Sequence, residues 1–130
     1  MLMSRGVCGA MDEKIGMEIT SQDKITVVTF KAASITDVEA IASASKQIKE
    51  FIKENRPNKI VFDFGQVKFF SSQLLGLLLD IRAKLQMYDG QVSISAINPQ
   101  LHRVFRITHL DRIFAFFPDK ESAFTAESTN

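Results

Sequence analysis

Lys59-Ile60-Val61-Phe62-Asp63-Phe64 is a short, continuous apolar run, and beyond Gly65-Gln66 the chain continues Val67-Lys68-Phe69-Phe70-Ser71-Ser72-Gln73-Leu74-Leu75-Gly76-Leu77-Leu78-Leu79. The first run has the pattern of a strand covered on both faces. Gly65-Gln66 reads as a turn, and the second stretch passes into a helix whose first residues are small and hydroxylic. Ser71 or Ser72 at the N-cap would satisfy one of the orphan N–H donors of the first turn and stabilise by about 1 kcal/mol. A helix N-terminus also attracts negative charge, so a phosphate is compatible with this place. The helix is expected from about Ser72 to Tyr88, stopping at Asp89-Gly90. At about 100° per residue, Leu74, Leu78, Ile81 and Leu85 cluster tightly and must face a sheet, while Leu75 and Leu79 lie roughly 80–120° around from them. Gln73, Asp80 and Lys84 fill the opposite sector. The apolar arc is wider than a one-sided helix on a sheet requires. Either a neighbouring helix covers the surplus, or Phe70, Leu75 and Leu79 form a partner-binding strip beside the first turn.

Outward from this stretch, the pattern alternates strands and helices. Met17-Glu18-Ile19-Thr20 alternates and Ile25-Thr26-Val27-Val28-Thr29-Phe30 is β-branched, with Gln22-Asp23-Lys24 as the turn between two strands. Thr36-Asp37-Val38-Glu39 fits a capping box, and Val38, Ile41, Ile48 and Ile52 fall on one face of the helix that follows. Asn55-Arg56-Pro57-Asn58 ends that helix, since the residue before a proline is pushed out of the right-handed α region. Gln91-Val92-Ser93-Ile94-Ser95-Ala96-Ile97 is strand, and Asn98-Pro99 starts a third helix with an N-cap followed by proline at the first helical position. Leu101, Val104, Phe105 and Thr108 mark one face of it. Ile113-Phe114-Ala115-Phe116-Phe117 is a last strand, and Pro118-Asp119 opens a final helix carrying Ala123 and Phe124. The order implies an α/β fold: a mixed sheet of about four to five strands with about four helices packed against it. Residues 1–16 read as a loose tail, with Met11 an alternative start to Met1, residues 17–127 as one domain, and 128–130 as a frayed end.

With 130 residues, 45% hydrophobic and 24% charged, the chain has the composition of an ordinary soluble domain. Sixteen basic residues against fifteen acidic ones leave a net charge of +1, which provides no electrostatic footprint for nucleic acid or an acidic membrane. No apolar run approaches the roughly 18–20 residues that span a bilayer, and Met1–Ala10 does not read as a secretory signal, so the expected location is cytoplasmic. The single cysteine, Cys8, excludes an internal disulfide framework and a multi-cysteine zinc site, and reads as an incidental thiol.

Enzymatic motifs are missing. The glycines form neither G-x-G-x-x-G nor G-x-x-x-x-G-K, and no G-x-S-x-G elbow surrounds Ser71 or Ser72. The histidines, His102 and His109, have no acidic partners at metal-ligand spacing. His102 is expected partly exposed on the third helix, and His109 against the last carbonyls of that helix. Asp63 and Asp80 have no spacing that argues for a working carboxylate pair. These readings imply no catalytic residue, no metal and no cofactor. A small enzyme with Ser71 or Ser72 as nucleophile is the competing reading, and it requires a base within hydrogen-bond reach.

Element order and two blocks resemble the STAS domain, the fold of bacterial anti-sigma-factor antagonists. One block is the apolar strand followed by Val67 to Gly76. The other is Ile97-Asn98-Pro99-Gln100-Leu101-His102-Arg103-Val104-Phe105-Arg106-Ile107-Thr108-His109-Leu110. The likeness covers roughly Met17 to Ala126. In family members regulated by phosphorylation the loop reads Asp-Ser-Ser-Gly-Leu-Gly, and the partner anti-sigma kinase phosphorylates the second Ser. Laid on this chain without gaps, the motif's Leu-Gly meets Leu75-Gly76. Ser71 then takes the Asp position, Ser72 the first Ser, Gln73 the phosphorylated Ser, and Leu74 the Gly. A register shifted by one places the accepting hydroxyl at Ser72, puts Phe70 on the Asp and loses the Leu75-Gly76 match.

The resemblance therefore implies a binding module that docks an anti-sigma factor or serine-kinase-like protein through Phe70, Ser71, Ser72, Gln73, Leu75 and Leu79. Gln73 cannot carry the phosphate, whose charge of about −1.5 to −2 would switch docking, so the gapless register implies a domain without the usual switch. Ser72, or Ser71, remains the candidate phosphorylation site under the shifted register. A cytoplasmic subunit of a larger complex such as a lipid transporter is a further implied role. A weak homodimer is left open.

Overall fold

The computed structural model describes residues 16–22 and 24–118. Strands β1 (Met17–Gln22) and β2 (Ile25–Phe30) pair antiparallel, with Met17 opposite Phe30 and Gln22 opposite Ile25. The pairing reaches one residue into the expected tail, since the Lys31 N–H donates to the Gly16 carbonyl at 3.3 Å. The remaining elements are β3 (Ser34–Ile35), α1 (Val38–Asn55), β4 (Lys59–Asp63), β5 (Phe69–Phe70), α2 (Ser72–Gln86), β6 (Gln91–Ser95), α3 (Pro99–Ile107), a 3₁₀ turn (Leu110–Arg112) and β7 (Ala115–Phe117). The main sheet has five strands in the order β1-β2-β4-β6-β7, parallel except for the β1–β2 hairpin. This is the expected mixed α/β sheet. Three α-helices lie among the described residues; the expected final helix, Cys8 and the alternative start at Met11 fall outside them.

The period-2 alternation divides each central strand between two faces. Val28 and Phe30, Ile60 and Phe62, and Val92 and Ile94 join Ile41, Ile48, Leu74, Leu78 and Phe105 in one core between sheet and helices. Val27 and Val61 point the other way and are also buried, so β4 is covered on both faces, as its unbroken apolar run requires.

Local chemistry explains where the helices start and stop, and corrects four expectations. Asp37, not Thr36, caps α1: its carboxylate accepts the Ala40 N–H at 2.9 Å. Aspartate ranks above threonine as an N-cap, and its charge complements the positive end of the helix dipole. Val38, expected on the buried face, is 57% exposed at the first residue of the helix. Helix α1 ends where Arg56, ahead of Pro57, turns left-handed at φ 45° and donates its N–H to the Ile52 carbonyl at 2.8 Å. Helix α2 stops at Gln86, before the expected Tyr88. There the Gly90 N–H folds back onto the Leu85 carbonyl at 2.7 Å, and a Cβ at Gly90 would sit 3.0 Å from the Leu85 side chain. Asn98 caps α3 as expected, accepting from the Leu101 N–H at 2.9 Å with Pro99 behind it. The last strand is shorter than the expected 113–117, since Ile113 closes the 3₁₀ turn onto the Leu110 carbonyl.

Candidate functional site

The start of α2 is reached through a segment that belongs to no strand of the main sheet. After β4 the chain makes a tight turn, with Gly65 N–H on the Asp63 carboxylate at 2.9 Å and Val67 N–H on the Phe64 carbonyl at 3.0 Å. Strand β5 then pairs parallel with β3, Ser34 beside Phe69 and Ile35 beside Phe70. The N–H groups of Lys68 and Phe69 both donate to the Ala33 carbonyl, at 2.7 and 3.0 Å, and Ser71 N–H donates to the Ile35 carbonyl at 3.0 Å. From the other side the Asn98 amide donates to the Val67 carbonyl at 3.2 Å. One asparagine thus caps α3 and pins the turn that leads to α2.

The two phenylalanines of β5 point in opposite directions. Phe70 is only 7% exposed and stands edge-on to Phe64 and Phe105, with ring centroids 5.8 and 6.1 Å away. It belongs to an aromatic chain running from Phe30 through Phe64, Phe70 and Phe105 to Phe114 and Phe116. Phe70 therefore cannot belong to a surface strip, and that expectation is corrected: its ring is part of the core. Phe69, which the sequence reading did not single out, is 58% exposed and presents the aromatic surface at this place. A signal for this was present. Phe70 stands at N′ and Leu75 at N4 of α2, the two positions of a hydrophobic staple, which turns the N′ side chain inward.

Ser71 occupies the N-cap with extended backbone (φ −87°, ψ 165°), yet its side chain caps nothing. The hydroxyl is turned inward and is buried with no hydrogen-bond partner. The expected cap bond at Ser71 or Ser72 is absent, and among the described residues no side chain accepts from the first-turn N–H groups. The Leu74 N–H falls back on the Ser71 carbonyl at 3.0 Å. Ser72 and Gln73 are exposed in the first turn of α2. Further along, Leu74, Leu77, Leu78, Ile81 and Leu85 are buried, which adds Leu77 to the expected core face. The Lys49–Asp80 ion pair, at 3.1 Å, puts α1 on the Asp80 side of α2. Leu75 and Leu79 lie on the other flank. Leu75 is half-buried against the core and Leu79 is 37% exposed. The neighbouring helix does not account for the surplus apolar arc.

His102 is half-buried on α3, its ring tilted at 33° against Phe116 with centroids 4.4 Å apart, and at His109 the backbone N–H reaches the Arg106 carbonyl at 3.1 Å. Asp63 is engaged with Gly65 and Asp80 with Lys49. Among the described residues no three His, Cys, Asp or Glu side chains gather to hold a metal ion, and no helix is long and apolar enough to cross a membrane.

A fold with a mixed five-stranded sheet, a β3–β5 side arm and an open α2 start defines a class that comparison with known proteins identifies. The STAS domain family matches residues 16–123, and the chain belongs to that family. An anti-sigma factor antagonist from Mycobacterium paratuberculosis superposes with a TM-score of 0.74 at 24% identity, covering 89% of this chain and 97% of its own. A STAS-domain anti-sigma-factor antagonist from Planctomyces limnophilus superposes at 0.73 and 20% identity, over 82% and 92% of the two chains. The Bacillus cell fate determinant SpoIIAA in its phosphorylated form superposes at 0.66 and 17% identity, over 83% and 96%.

Proposed function

We propose that this chain is a non-enzymatic binding module of the anti-sigma-factor antagonist type, which docks a serine-kinase-like anti-sigma protein in the cytoplasm through the start of α2. The supporting observation is the combination at that start of exposed apolar groups, Phe69 and Leu79, with an uncapped helix N-terminus flanked by exposed Ser72 and Gln73. Exposed aromatic and aliphatic groups beside unsatisfied N–H donors give a partner both a hydrophobic anchor and hydrogen-bond acceptor requirements to meet. The docking set is Phe69, Ser72, Gln73, Leu75 and Leu79; Ser71 contributes through its backbone, because its hydroxyl faces inward.

Gln73 stands where the gapless motif has its phosphorylated serine. A glutamine accepts no phosphate and carries no charge, so docking at this surface runs without a phosphoserine switch. One observation favours the second reading, phospho-regulation at Ser72: that side chain is exposed at the first position of the helix, where the dipole stabilises a dianion. The test separates the two. Binding to a kinase-like anti-sigma protein from the same cells is measured by calorimetry, then repeated after incubation with that protein and ATP. Unswitched docking predicts no phosphate by mass spectrometry and unchanged affinity, with at least about a tenfold loss in Leu75→Asp, equivalent to about 1.4 kcal/mol. Stoichiometric phosphate on Ser72 with loss of binding replaces the unswitched reading by the switched one. Full affinity in both Leu75→Asp and Phe69→Asp sinks the docking surface.

A further inference from the structure

A furrow of about 700 Å³ lies away from the α2 start, where the second half of α1 runs beside the last turn of α2. Its walls carry Lys46, Lys49 and Lys53 from α1, Arg56 at the C-cap of α1 and Lys84 from α2, against one carboxylate, Glu50. Lys49 is engaged by Asp80, while Lys46, Lys53 and Lys84 have no carboxylate partner among the described residues. A chain whose total charge is +1 thus concentrates an excess of cations in one place. Part of this excess complements the helix C-termini, since Lys53 and Lys84 lie in last turns. Lys46 and Lys49 lie too far back along α1 for that role.

The floor is apolar and already rigid. Arg56 stacks over the Tyr88 ring at 4.6 Å, and the Tyr88 hydroxyl donates to the Pro57 carbonyl at 3.0 Å, so the aromatic wall is fixed before anything binds. Beside it Met87 is 82% exposed, an adaptable apolar side chain with nothing over it. The lining runs along α1 from Ala42 to Arg56, about 21 Å at roughly 1.5 Å per residue, or about four helical turns.

We propose that this furrow is a second docking site and that its occupant is an acidic amphipathic helix of a partner protein, laying apolar side chains on Met87 and Tyr88 with carboxylates toward the lysine walls. The length, the apolar floor and the cationic rim all match such a helix. A bilayer is a poorer fit, because the cations line the walls of a groove and do not crown a protruding face. A small anionic metabolite is also a poorer fit, because it needs buried polar groups converging on one point and these lysines are spread along a rim. The site does not depend on the docking proposed at the α2 start.

The test titrates the ¹⁵N-labelled full chain, at about 150 mM salt where surface charges are substantially screened, with a synthetic amphipathic helix of about sixteen residues carrying Leu on one face and Glu on the other. Saturable binding is expected, with shifts centred on Lys46, Lys53, Lys84 and Tyr88. Affinity should fall at least tenfold in Lys46→Glu/Lys53→Glu, whose exposed positions leave folding intact by circular dichroism, and stay unchanged in Leu75→Asp. Equal binding of a Gln-for-Glu analogue, shifts centred elsewhere, or no saturable binding overturns the proposal. So does saturation of these residues by inorganic phosphate or phosphatidylglycerol vesicles with no response to the peptide.

Discussion

The adjacent phenylalanines of β5 permit a sharp test of how this region is built. Phe70→Ala removes a ring that is 7% exposed and packs edge-on against Phe64 and Phe105 at 5.8 and 6.1 Å. Truncating a buried phenylalanine costs about 3–5 kcal/mol, transfer and cavity terms together, and the two aromatic contacts, at about 0.5–1.5 kcal/mol each, place this site in the upper part of that range. Domains of this size are stable by only about 5–15 kcal/mol, so the variant should be severely weakened. Phe69→Ala removes a ring that is 58% exposed, with less than half its surface to lose and no cavity to leave. Its cost should be about 1 kcal/mol or less. Urea unfolding followed by far-UV circular dichroism measures both. With m of about 1–3 kcal/mol per M, Phe70→Ala should lower the midpoint by more than about 1 M, and Phe69→Ala by a small fraction of that. Comparable losses in the two variants, or the larger loss at Phe69, would refute the orientation of β5 and with it the assignment of Phe69 to the surface.

Ser71→Ala should leave stability unchanged or raise it by up to about 1 kcal/mol in the same assay, because a buried hydroxyl without a partner is removed; a loss of about 1 kcal/mol would mean that the serine caps α2 after all. Asp37→Ala should cost about 1 kcal/mol by urea unfolding and Thr36→Ala a few tenths at most, since only the carboxylate of Asp37 holds the Ala40 N–H. Gly76→Ala should stabilise by up to about 1 kcal/mol, as a Cβ there meets nothing within 4 Å and alanine is the better helix former; a thermal melt that falls would show an unseen clash. Burial pushes the Tyr88 phenol above its ordinary value of 10.0, opposed in smaller part by Arg56. The neutral form is thus favoured in the fold, and its contribution is complete below pH 10 and lost as pH rises through the folded value. Tyr88→Phe should flatten that alkaline decline in midpoints measured from about pH 8 to 11, at the cost of about 1 kcal/mol at neutral pH for the bond to Pro57.

Element order was legible because it depends on periodicity. The alternation of β1 and β2, the unbroken run of β4, the Leu74-Leu78-Ile81-Leu85 spacing and the Asn98-Pro99 signature each carry their own physical cause. Features that depend on tertiary approach were not legible. Strands β3 and β5 have two residues each, too few to show a period. The inward turn of the Ser71 hydroxyl defeats a capping pattern that is right on average, and the choice between Thr36 and Asp37 turned on one residue of register. The furrow was invisible for another reason: Lys84 joins Lys46, Lys49 and Lys53 only when α2 lies down beside α1. Of the residues in the expected strip, Leu75 and Leu79 lie on the free flank, whereas Phe70, at the N′ position of α2, is turned into the core.

The small β3–β5 arm is hydrogen-bonded to its own members and shares no ladder with the five-stranded sheet. Residues 68, 69, 72 and 73 are exposed, while Val67 and Phe70 supply the anchorage. The segment is therefore a cassette: its exposed residues can be exchanged between two fixed pegs without disturbing the scaffold's load path. If partners dock there as proposed, that separation would let one architecture diversify its choice of partner at nearly constant folding energetics.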